Sequence, residues 1–186
     1  MNCRKQNPRP RSSDAGFTLI ELMIAIAVLM VGLVVTLIFI TVAMGSNFRN
    51  RQGSNATAIS QMMVEKIMSV GANVSPTLTI NDCAGNPHNI NTTGAPGPTG
   101  LGGSLNANGD IDFTQAPGSA GDPVGYYMLF TDCGTNGRQI VYDVRWNVQT
   151  PTVDTKLITV STRMSNAGND LKMYSPAVTV RSMLGP

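Results

Sequence analysis

The chain has 186 residues, with 13 lysines and arginines against 11 carboxylates and a formal charge of +2. Four of the cations (Arg4, Lys5, Arg9, Arg11) and one anion, Asp14, crowd into the first 16 positions, which leaves nine basic (13 less 4) and ten acidic (11 less 1) side chains beyond them. That balance does not imply a nucleic-acid partner, and a charged fraction of 13% with 19 Gly and 11 Pro describes a turn-rich, weakly charged chain.

After the basic arm, the residues from Leu22 to Met44 form one apolar run. About 20 apolar residues of helix cross the hydrocarbon of a bilayer. Cations beside such a run hold their end on the cytoplasmic side, so the ~140 residues beyond it are expected outside the cytoplasm. A secretory signal peptide has a shorter apolar core followed by small residues, whereas here Arg49 and Arg51 follow, as for a membrane helix. A plain single-span anchor accounts for the run and the flank but not for Glu21, the one charge between Gly16 and Phe48. A carboxylate in a membrane segment marks a functional site when a partner can be named. Cutting the chain after Gly16 would create that partner, the α-amine of Phe17, in the same chain or in a neighbour.

Gly16 followed by Phe17-Thr18-Leu19-Ile20-Glu21-Leu22-Met23-Ile24-Ala25 resembles the class III signal of type IV prepilins and pseudopilins. The resemblance spans about residues 12 to 44. It implies that a membrane aspartyl peptidase, the prepilin peptidase, cleaves after Gly16 and N-methylates Phe17, and that Glu21 is the assembly carboxylate. The partners so implied are that peptidase, other pilin subunits, the inner-membrane assembly platform and the membrane itself. The subunit would sit in a bacterial inner membrane as a single-pass protein with a cytoplasmic N-terminus. It would then move to the periplasm or to a cell-surface pilus. The implied fold class is α+β, a long N-terminal helix packed on a C-terminal antiparallel β-sheet. Its parts would be a leader at 1–16, a membrane and assembly half-helix at 17–44, an amphipathic half-helix at 45–71 and a β-rich head at 72–186. Many major pilins carry a Pro in the middle of the apolar helix; here only Gly32 could loosen it.

Removal of the leader takes Cys3 with it and leaves Cys83 and Cys133, which are expected to pair outside the cytoplasm. Past the apolar run, Ala56, Ile59, Met63, Ile67 and Val70 recur at spacings of three and four, the period of one buried helical face. Gly71 gives the stop. Between Pro76 and Pro123 the composition turns to Gly, Pro, Asn and Thr, most of all over Thr93–Gly103. There is neither a Gly-X-Y period nor a Gly-Lys-Ser/Thr sequence, so 93–123 reads as a long surface loop. Strands are expected at 124–130, 139–148, 156–164 and 177–183. Ile140, Tyr142, Val144 and Trp146 alternate there with Val141, Asp143, Arg145 and Asn147, a pattern that fits strands with one buried face. Trp146 is expected in the core between helix and sheet. The spacing Tyr142-x-Val144-x-Trp146-x-Val148, a short turn and Lys156–Val160, together with Ala58–Ile67, resembles minor pilins of the PilV type.

Asn106, Asn108, Asp110 and Asp112 alternate like the first ligands of a calcium loop, but Ile111 and Pro117 stand where Gly and Glu are needed. A turn is therefore expected, with no metal and no cofactor. The single histidine, His88, has no nucleophile motif near it and reads as a solvated loop residue, so no enzyme is expected. The function implied is that of a minor type IV pilus subunit that enters or primes the filament. The alternatives are a type II secretion pseudopilin and a DNA-binding competence pilin. The latter would depend on Arg138, Arg145, Lys156 and Arg163.

Overall fold

The computed structural model describes residues 16–72, 74–134, 137–165 and 177–185. The leader up to residue 15, with its basic arm, lies outside them, as do residues 135 and 136. One long helix, α1 (Leu19–Met68), is followed by β1 (Thr77–Asn81), β2 (Pro87–Asn91), β3 (Leu101–Gly102), β4 (Tyr127–Cys133), β5 (Gln139–Thr152), β6 (Thr155–Met164) and β7 (Val178–Leu184). The chain divides into two compact units, one up to Ser46 and one from Asn47 onward.

In the first unit, Thr18 opens α1 by accepting the Glu21 amide N–H on its hydroxyl oxygen at 3.3 Å, the N-cap arrangement. Glu21 stands in the first turn, where a carboxylate complements the helix dipole. Every residue from Gly16 to Asn47 is exposed, although the run is almost wholly apolar. The helix is long and apolar enough to cross a membrane.

In the second unit, the rest of α1 buries Gln52, Ala56, Ile59, Ser60, Met63, Val64 and Ile67 along one face. That is the expected stripe, except that the helix ends at Met68 and Val70 falls in the turn after it. The stripe lies on a sheet in which β5 is central. β6 and then β7 pair along one edge of β5, and β4 and β3 lie end to end along the other, every pair antiparallel. The four expected strands are all present, within three residues at either end; β5 alone runs well past its expected end at Val148, to Thr152 beyond an irregularity after Gln149. Tyr142, Val144, Trp146 and Val148 share one core with Ile158 and Val160 of β6 and with the helix stripe. Buried Ser60 donates to the Thr162 hydroxyl across the same interface at 2.7 Å. Trp146 is fully buried there, and its indole N–H donates to the Asn91 carbonyl at 2.9 Å.

Three expectations need correction. First, the opposite face of β5 is buried too: Asp143, Arg145 and Asn147 are each no more than 5% exposed. The glycine-rich segment covers them. It contributes few strand hydrogen bonds, so its carbonyls need donors, and β5 supplies these. Asn147 donates to Thr99 O and Gly103 O at 2.9 Å each, Arg145 donates to Gln115 O at 2.8 Å, and Gln149 donates to Pro98 O. A segment read as a surface loop is thus the third layer of the head. Gly102 makes the close approach possible, because a Cβ there would lie 2.3 Å from the Trp146 carbonyl.

Second, β1 and β2 pair as a hairpin in a stretch to which no strand is assigned from the sequence, with Thr77 opposite Asn91 and Asn81 opposite Pro87. Third, His88 is a strand residue. Its Nε2 lies 3.2 Å from Asp82 Oδ2, and its side chain is only 15% exposed.

Candidate functional site

The segment around Gly16, the expected cleavage position, is local and open. Gly16, Phe17 and Thr18 precede the helix without regular structure, and all three are exposed, Phe17 by 85%. Nothing lies within 4 Å of where a Cβ on Gly16 would stand, so the peptide bond after it is accessible to a protease. From there the chain enters α1 through the Thr18 cap, which places Glu21 in the first turn as the only charge between Gly16 and Arg49. Only the Thr18 half of a capping-box pair is formed: Thr18 accepts the Glu21 amide.

The family model for the prokaryotic N-terminal methylation motif matches residues 11–44. The match supports a type IV pilin-like protein. Its span takes in Gly16, Phe17 and Glu21 together with the apolar half of α1, and it points to a structural subunit and prepilin-peptidase substrate rather than an enzyme. No curated protein and no solved structure matches the chain.

The head of this pilin-like chain gathers its charges inward. Arg145 holds Asp143 through both carboxylate oxygens, Nε and Nη2 each at 2.9 Å, and Arg163 reaches Asp143 at 3.2 Å. Both guanidinium groups stack on Phe113, at 4.9 and 4.3 Å from the ring centre. Asp122 lies 3.1 Å from Arg145 Nη1, yet neither of its oxygens accepts a hydrogen bond from the described residues. Its pKa is pushed up to about 6, by burial above all; Arg145 opposes the rise and Asp143 adds to it. Asp82 shows the reverse balance. Burial would raise it, but hydrogen bonds from Asn86, His88 and the Thr131 amide outweigh that and hold it well below the usual carboxylate range.

Two of the four cations on which a nucleic-acid stripe would depend are buried. Arg145 is buried in the network just described. Lys156 is buried with its ammonium on Val74 O at 2.6 Å and Thr92 O at 3.3 Å, and burial lowers its pKa. Asn106–Asp112 forms a turn in which Asn106 Oδ1 accepts the amides of Asn108 and Asp110, Arg181 takes Asp110, and Asp112 caps Thr114. Cys83 and Cys133 are joined in a disulfide with a Cα–Cα distance of 5.8 Å. Phe113, Asp122 and the covering role of 98–115 were missed, because no periodic signal runs through that segment.

Proposed function

We propose that this chain is a minor type IV pilus subunit, most like the PilV type, whose head caps, primes or decorates the filament. The membrane-embedded precursor is cut after Gly16 by the prepilin peptidase, and Phe17 becomes the N-methylated first residue. Glu21 then pairs with the Phe17 amine of a neighbouring subunit as the assembly platform draws the subunit from the inner membrane into the periplasmic or surface filament. One observation carries this reading: the uncovered apolar half of α1 holds a single carboxylate, Glu21, four residues past the exposed Phe17. In apolar surroundings an unpaired carboxylate is costly, and an amine that meets it selects one register far more strongly than lipid-like packing alone.

The experiment is intact-mass and N-terminal analysis of the membrane-extracted protein, from cells with and without the peptidase. A methylated Phe17 start only in peptidase-positive cells is expected, whereas a Met1 start in both removes the proposal. Glu21→Gln removes the charge and keeps the size and helix propensity of the side chain. Undiminished incorporation of that variant into filaments would remove the assembly role of Glu21.

A further inference from the structure

Two arginines play no part in the assembly reading: Arg51 on α1 and Arg138 just before β5. Both line a cleft of about 520 Å3 in the head, together with Phe48, Gln52, Asn55 and Asp132. Arg138 lies over the Phe48 ring, 5.7 Å from its centre. Neither arginine takes part in an ion pair among the described residues. Gln52 is 6% exposed, and its Nε2 donor, fully buried, has no partner among them. The one carboxylate of the cleft, Asp132, already accepts the Asn55 amide at 2.9 Å. Two cations and an unspent amide donor facing one engaged anion form a site for the oxygens of an anionic group.

Its position along the chain selects the anion. Phe48 follows the end of the apolar run at Met44 by four residues, about 6 Å of helix. That is the depth of the lipid headgroups beside a spanning segment. Arginines gather on the cytoplasmic flank of a span, not on the exported one, so Arg51 beside the exported end calls for a partner there. We propose that this cleft binds the phosphate of an anionic phospholipid headgroup in the exported leaflet, with Arg51 and Arg138 on the phosphate oxygens and Gln52 Nε2 donating beside them. The inference rests on the reading of 22–44 as a membrane span. The site anchors the subunit to the exported leaflet before assembly and lets go when the helix leaves the bilayer.

The test is native mass spectrometry of the full chain released from nanodiscs of phosphatidylcholine alone or of phosphatidylcholine with phosphatidylglycerol. The chain should retain phosphatidylglycerol over phosphatidylcholine. Retention should fall roughly 5-fold in Arg51→Gln or Arg138→Gln and roughly 30-fold in the double variant, as expected for about one cation–headgroup contact each. The double Arg51→Lys/Arg138→Lys variant keeps most of it. Equal retention of the two lipids, or undiminished retention by the double Gln variant, overturns the site. Release of phosphatidylglycerol by inorganic phosphate, where chloride at the same ionic strength does nothing, overturns the lipid assignment in favour of a free-phosphate site. Entry into phosphatidylcholine discs reads the span by itself, so a chain that inserts without selecting a lipid loses only the site.

Discussion

The guanidinium of Arg145 stands 4.9 Å from the centre of the Phe113 ring, across 32 positions of sequence, and this stack fastens the glycine-rich layer to the polar face of β5. Arg163 meets the same ring at 4.3 Å, so one aromatic side chain serves two cations that are both held by Asp143. Cation–π contacts contribute about 0.5 to 2 kcal/mol each, the larger values where water is excluded. Phe113→Leu keeps most of the apolar area and loses both stacks. It is expected to destabilise the head by about 2 kcal/mol, measured as a lower urea midpoint at unchanged slope by Trp146 fluorescence.

The Cys83–Cys133 bridge closes a loop with a sequence separation of 50 and ties the β1–β2 hairpin to the end of β4. On the chain-entropy account a loop of that length stabilises by about 4 kcal/mol. The double variant Cys83→Ser/Cys133→Ser should lose about that much, and reduction of the wild-type protein should lower its melting temperature to match. A melting temperature indifferent to reduction would mean that the hairpin is held by its packing alone.

Asp122 makes stability depend on pH in an unusual direction for a carboxylate. Its folded-state pKa of about 6 lies above its ordinary 3.8. The folded chain therefore takes up a proton between those values that the unfolded chain does not. The contribution of this group to stability falls as pH rises from about 4 to about 6 and is flat outside that window. Asp122→Asn should abolish that slope, read as unfolding free energy against pH. Asp82 acts in the opposite sense and below that window: its stabilisation is present above its ordinary pKa and is lost as pH falls further.

Gly102 and Gly85 both have positive φ, +120° and +84°, but their surroundings differ. A Cβ on Gly102 would meet the Trp146 carbonyl at 2.3 Å and the Tyr126 ring at 2.7 Å, whereas nothing lies within 4 Å of one on Gly85. Gly85→Ala should cost about 1 kcal/mol, the backbone term alone. Gly102→Ala should cost roughly 3 kcal/mol or more, because the covering layer must lift from the sheet. Equal melting temperatures for the two variants would show that this layer does not press on Trp146.

The sequence alone determined the features that depend on neighbours in the chain. The Gly16–Glu21 motif, the apolar run, the 3.6-residue stripe from Ala56 to Ile67 and the alternation along β5 and β6 are written in local spacing, and local spacing sets which face of an element is apolar. The sequence also named the two cysteines left to pair once Cys3 is set aside. Only the tertiary structure decided what covers the other face of β5. Asp143, Arg145 and Asn147 look like solvent-facing residues of a strand, and they are buried because a segment without periodicity brings carbonyls, Phe113 and Asp122 to them from 23 to 48 positions away. The same holds for the Asp82–His88 contact and the β1–β2 hairpin, in which Pro, Asn and His replace the β-branched residues that mark a strand. Hydrogen bonding to a distant backbone leaves no period in the sequence, so burial of polar groups is settled only when the chain has folded.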